Sequence, residues 1–158
     1  MYINKFGLYE DIVNNLIEGK MYKNNEILKR FYNSDKSVIA LDYFLPAGVE
    51  IEEHFHDWIE FTLVVKGEQH IIVDDIKYIL TDGDFIMVDY NEIHSSYTFK
   101  PTNKLTIQFK NGFVENYIPE FDSTKIYCNT SAIKDSFDHQ TYLTIIELYC
   151  FMFRAFSK

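Results

Sequence analysis

The sequence predicts a mainly β protein, an antiparallel barrel or sandwich with a short helix before it and a helical tail behind it. Three observations carry this reading. Between residues 37 and 109 the chain breaks into short runs rich in Val, Ile, Phe, Tyr and Thr, namely SVIALDYFL, WIEFTLVV, QHIIVD, IKYIL, DFIMVD, HSSYTF and KLTIQF, the composition that suits a pleated, half-buried surface. Turn chemistry separates them at Pro46 to Gly48, Lys66 with Gly67, Asp74 with Asp75, and Thr81 to Asp84 around Gly83, and short strands at such even spacing are the pattern of antiparallel barrels and sandwiches. On either side the texture is helical rather than β.

Taken in order, Ile12, Val13, Leu16 and Ile17 lie on one helical face and Gly19 stands where a helix stops, which predicts a short N-terminal helix. The strands follow. From about Asp138 the run DHQTYLTIIELYCFMFRAFSK has no internal Gly or Pro, and Asp138 is placed to cap it, so the tail is helical. The division expected is an arm and helix over 1–36, a barrel over 37–112 and a helical region over 113–158. No repeat, linker or low-complexity stretch marks a second domain.

Composition narrows the function. At 158 residues with 47% hydrophobic and 17% aromatic residues, the chain can bury a core without staples. A net charge of −9, with only 15 scattered Lys and Arg, opposes a nucleic-acid surface, since phosphate neutralisation needs clustered cations. The two cysteines, Cys128 and Cys150, have no CxxC spacing and the N-terminus lacks an apolar signal core; the expectation is a cytoplasmic protein with reduced thiols. The longest apolar run, Tyr142 to Phe153, is interrupted by Glu147 and falls short of the ~20 residues of a membrane span.

The stretch GVEIEEHFHDWIEFTLVVKG concentrates the chemistry. Alternate residues of a strand share a face, so in an unbroken strand His54, His56 and Glu60 point into one interior while Phe61, Leu63 and Val65 face outward, free to pack under a helix or second sheet. His94, in VDYNEIHSS, is a fourth candidate that strand pairing can bring to the same pocket. Three imidazoles and a carboxylate suit a divalent transition metal, Zn, Fe, Mn or Ni, with positions left open for a ligand. The bland alternative is a hydrogen-bonded polar cluster at the barrel mouth. Trp58, Thr62, Tyr90 and Ser96 are the candidate contacts for a small molecule. His70 and His139 have no partners at ligand spacing and read as structural, and Glu50, Glu52 and Glu53 as a solvated loop or edge.

Gly48, His54, His56, Glu60 and Gly67 resemble the first cupin motif at every position. Gly83 to His94 resembles the second less fully, with Asp89, Asn91 and Thr98 in place of the usual proline, glycine and asparagine. Within that family HFHDWIEFTLVVKGEQHIIVDDIKYILTDGDFIMVDYNEIHS resembles the N-terminal effector domain of AraC-type transcription regulators, which carry HxHDxxE, GD before an apolar strand, and NEIHS; Tyr90 departs where proline is common. The resemblance covers residues 37 to 110 in detail and the helical tail in outline. It implies a cupin-type barrel (a double-stranded β-helix or jelly roll) that senses a small-molecule effector, and a helical region that forms a homodimer. DNA would be bound only through helix-turn-helix motifs that this chain lacks, as an excised sensor domain would. The alternative is a single-domain cupin metalloenzyme, a dioxygenase, isomerase or lyase, in which metal polarises substrate or activates oxygen.

The tail fits the dimer expectation. Tyr142, Ile145, Tyr149, Met152 and Phe156 form one apolar stripe at spacings of three and four, and Leu143, Ile146, Cys150 and Phe153 a second beside it. One stripe can pack on the barrel and the first is assigned to a partner copy.

Overall fold

A computed structural model describes residues 28–35, 37–122 and 139–156. The helix expected over residues 12–19 and the cap at Asp138 lie outside them. Among the described residues seven strands, β1 (Leu28–Asp35), β2 (Val38–Leu45), β3 (Glu50–His54), β4 (Trp58–Val73), β5 (Ile76–Thr81), β6 (Phe85–Val88) and β7 (His94–Lys110), precede one helix, α1 (His139–Phe156). All strand pairings are antiparallel. The mainly β class with a C-terminal helix is as the sequence predicts.

The path of pairing runs β1-β2-β7-β4-β5, with β3 joined to β7 and β6 to β4. Two strands belong to both halves of the barrel. The first half of β4 lies between β6 and the end of β7, through pairs such as Glu60 with Val88 and with Gln108. Its second half lies between β5 and the start of β7, as in His70 with Ile79 and with Tyr97. The register of β4 on β7 shifts repeatedly between Val64 and Gln69, where the strands bend from one half to the other. WIEFTLVV and QHIIVD are therefore one 16-residue strand, and HSSYTF and KLTIQF one 17-residue strand. Gly67 and Pro101, which read as breaks, sit inside them at the bend, where β-bulges and small residues turn a sheet corner. The barrel also begins earlier than residue 37, because β1 pairs with β2 from Leu28.

The remaining turns form as their residues dictate. Asp74 and Asp75 take φ of 43° and 66° in the two-residue connection between β4 and β5, the left-handed pair of a type I′ hairpin. Asp84 closes the Thr81–Gly83 turn by accepting from the Thr81 amide at 2.7 Å.

Among the described residues two apolar clusters form. Val64, Ile71, Val73, Leu80, Ile86 and Val88 pack together as one cluster. Ile59, Leu63, Val65, Leu105 and Ile107, the alternate positions of β4 and β7, pack with Ile146, Tyr149, Cys150 and Phe153 of α1, with Phe61 against them. The outward face expected for Phe61, Leu63 and Val65 is thus the seat of the helix.

That seat corrects the assignment of the tail. Tyr149 is 1% exposed and its hydroxyl lies between the carbonyl oxygens of Leu105 and Phe61, at 2.8 and 3.0 Å. Tyr142 packs against the same core and donates to the Gly83 carbonyl at 2.5 Å. Both belong to the barrel-facing side, because a tyrosine that covers a sheet can bury its ring and still satisfy its hydroxyl on strand carbonyls. Ile145 is half-buried, whereas Leu148, Phe151 and Met152 are exposed; the Phe156 side chain lies outside the described residues.

Candidate metal centre

Two strands and one connection bring the histidines together. His54 ends β3, His94 begins β7, and the two are directly paired. A one-residue shift between Ile51 and His54 in this pairing turns both side chains to one side, which simple alternation would have separated. His56 stands in the connection to β4, so the unbroken strand of the sequence reading is replaced by a break at residues 55–57. Its outcome is the same: one ligand nitrogen from each of His54, His56 and His94 lies within 4.8 Å of the others.

The rings are oriented by the backbone. Each Nδ1 lies against a carbonyl oxygen: His54 on Glu52 at 2.8 Å, His56 on Trp58 at 2.9 Å, His94 on Glu92 at 2.9 Å. A carbonyl only accepts, so each Nδ1 carries the proton and a neutral ring presents its lone pair at Nε2. The Nε2 atoms of His56 and His94 are buried without a hydrogen-bond partner. Two buried lone pairs with no donor, beside a third imidazole and with all tautomers fixed from behind, fit a transition-metal cation, whose histidine ligands are held in this way.

Glu60 does not join that compact set. Its Oε1 accepts from Thr62 at 2.9 Å and its Oε2 from Gln108 at 2.7 Å, and Oε2 lies 3.5 Å from His56 Nε2, longer than a formed hydrogen bond. Burial alone would push this carboxyl up, but His56, Lys104 and Gln108 outweigh it and hold it down at about 2. It is an ionised carboxylate. Its proximity raises His56 above the usual imidazole range against the opposing effect of burial, while burial lowers His94. A cation would displace a proton most readily at His94 and compete with one at His56.

A cavity of about 340 Å³ opens on this group, within the range of small-molecule sites. His54, His94, Glu60, Gln108, Lys104, Tyr43, Ser95 and Ser96 form its polar wall; Leu41, Ile51, Ile71 and Val88 form the apolar one. Of the expected ligand contacts, Ser96 lines it. Thr62 does not: it is fully buried and spent on Glu60 and Thr106, at 2.9 and 2.8 Å. Tyr90 packs on the outer core near Glu115, and Trp58 contributes its carbonyl to His56 rather than its ring to the cavity.

Sequence reasoning missed Tyr43, Lys104 and Gln108. The signal was present as alternation: in KLTIQF, Lys104, Thr106 and Gln108 share one face and pair across β4 with Val64, Thr62 and Glu60. Tyr43 faces Lys104 from β2. His70, as expected, is a strand-face residue, stacked on Phe99 at 4.1 Å and 3.2 Å from Glu68.

Comparison with known proteins agrees with this geometry. Residues 41–98 match the family model of the cupin domain. Solved structures with the same fold include a conserved protein of unknown function from Streptococcus pyogenes, 19% identical over 56% of this chain and 77% of that one, TM-score 0.53. A cupin superfamily protein from Desulfitobacterium hafniense is 22% identical over 56% and 82%, TM-score 0.53. An RmlC-like cupin from Desulfovibrio desulfuricans is 16% identical over 60% and 92%, TM-score 0.51. No curated protein sequence matches. The fold is that of a cupin, a barrel that carries many chemistries.

Proposed function

We propose that this chain is the small-molecule-sensing barrel of an AraC-type transcription regulator, with a divalent transition metal held by His54, His56 and His94. The observation that carries the sensing half is the cavity of about 340 Å³ into which His54 and His94 project. The regulator half rests on the residues from His54 to Ser95 that resemble the AraC-type effector domain. A bound cation would supply Lewis acidity and an anchor for an oxygen donor of the effector. The protein's own part is to orient the imidazoles through the three carbonyls and to hold Glu60 ionised and tethered by Gln108 and Thr62. Occupation of the barrel would be read out through α1, whose buried face touches β4 and β7, the strands that also carry Glu60 and His94. In this reading the homodimer uses the exposed side of α1, Leu148, Phe151 and Met152, in place of the stripe through Tyr149. The effector then changes how attached DNA-binding domains are presented.

Metal analysis of the purified chain, with His94→Ala beside it, tests the centre: about one metal per chain is expected, lost in the variant. Fusion to a monomeric helix-turn-helix reporter domain tests the regulator: repression should respond to a compound that raises the melting temperature. Chemical conversion of that compound by the metal-loaded chain would instead favour the metalloenzyme.

A further inference from the structure

We propose that the molecule bound in this cavity is a small carboxylate whose acid group is recognised by Lys104. The inference rests on the metal-and-cavity reading above and names the ligand class for that same site. Lys104 is 5% exposed, a level of burial that lysine almost never reaches unless paired, and its charge acts on Glu60 across the same cavity. It lines the cavity, and among the described lining residues it is the one Lys or Arg. Its ammonium lies 5.0 Å from the centre of the Tyr43 ring, over its face, which favours the charge without using its hydrogen-bond donors. An ammonium has three donors, so Lys104 can serve its neighbours in the protein and still donate to a ligand.

The charge balance selects an anion. Among the described lining residues Glu60 is the one carboxylate, and its oxygens already accept from Thr62 and Gln108. Its charge and that of Lys104 offset each other, and neutral imidazoles add nothing, so the charge of a bound divalent cation is left for the ligand to meet. Buried charge without a counterpart is costly. A neutral sugar can offer oxygen donors to the cation and to Lys104 but no charge to balance them. A short acid can place an oxygen donor at the histidine end, its carbon chain against Ile51, Ile71 and Val88, and a carboxylate at Lys104. The volume of about 340 Å³ limits it to a small molecule.

The test uses the zinc-loaded full chain and a panel of two- to six-carbon 2-hydroxy and 2-oxo acids, each against its primary amide, with neutral diols and sugars beside them. Calorimetry should show at least one acid binding, with its amide at least tenfold weaker. Lys104→Met should weaken that acid roughly ten- to a hundredfold, the loss of a charge-assisted hydrogen bond, with zinc content unchanged. Should Lys104→Met fail to fold, Lys104→Arg keeps the charge and should keep the preference for acid over amide. Amides that bind as well as acids, unchanged acid affinity in Lys104→Met, or binding confined to neutral compounds would each overturn the inference and leave the sensing reading standing. A chain that takes up zinc but binds neither acids nor neutral compounds overturns both, and so does one that takes up no zinc.

Discussion

At Gly67 the backbone takes φ of +118° inside β4, and a Cβ there would meet Pro101 O at 2.5 Å and Thr102 Oγ1 and Cα at 2.6 and 2.7 Å. Two of those three atoms are backbone, so relief requires β7 to move away from β4 at the bend that both halves of the barrel share. Gly67→Ala should therefore lower stability by more than about 2 kcal/mol. Gly112→Ala, at φ +82° with open space around it, should cost about 1 kcal/mol, the penalty of the left-handed backbone alone. Denaturant titration of the two variants checks the difference; equal losses would mean that the close approach at Gly67 is not what fixes the bend. The same residue shows how a site can be partly legible. Gly48, His54, His56, Glu60 and Gly67 stand out by type and spacing, and the three histidines do converge. What spacing cannot reveal is that Glu60 is turned to Thr62 and Gln108, since that depends on which residue of β7 faces it across the sheet.

The elements were legible in kind and less so in extent. Alternation and β-branched runs identify the segments of β2, β4, β5, β6 and β7, because those properties are local, whereas β1 and the acidic β3, EIEEH, carry too little of that texture to stand out. The joining of segments into β4 and β7 is set by pairing between residues more than 25 apart, such as Gln69 with Thr98, and no local signal encodes it. The tail illustrates the same limit: two apolar stripes were readable on α1, but the choice between them depends on the sheet beneath. Tyr149 settles it, with a ring in the core and a hydroxyl between two strand carbonyls. Tyr149→Phe should cost about 1 kcal/mol, the usual net value of a buried hydrogen bond, and Tyr149→Ala about 3–5 kcal/mol through the cavity it leaves. On the opposite side Phe151 is 57% exposed, so Phe151→Glu should leave the stability of a single copy within about 0.5 kcal/mol. In the proposed homodimer it should also shift sedimentation from dimer to monomer. A wild-type chain that sediments as a monomer at tens of micromolar, roughly the range of transient contacts, removes the dimer.

For the molecule as a whole, the question is whether helix, barrel and metal centre open together. Cys150 provides the probe. It is 0% exposed in the core that α1 shares with β4 and β7, and burial, with Glu147 adding to it, pushes its thiol up to about 12. Attack requires a thiolate in contact with solvent, so in a Cys128→Ser background Cys150 should react with a thiol reagent at pH 8 only through molecules that have opened. Two routes of opening are physically distinct. If α1 lifts off alone, the exposed surface is the outer face of the sheet, the histidines on β3, on β7 and in the β3–β4 connection stay together, and bound metal has no influence on the rate. If opening requires the barrel to come apart, metal bound to the folded state alone must first be lost, and at a hundred times its Kd it stabilises by about 2.7 kcal/mol. The structure favours the second route: Ile59, Leu63, Leu105 and Ile107 contact the helix core from the same strands that place Glu60, Gln108 and His94, and Tyr149 ties α1 to both. Labelling of Cys150 should therefore slow about a hundredfold on saturation with zinc at that concentration, and His94→Ala should abolish the slowing. Labelling that is equally fast with and without zinc, in a chain that metal analysis shows to be loaded, would establish that the helix undocks as a separate unit.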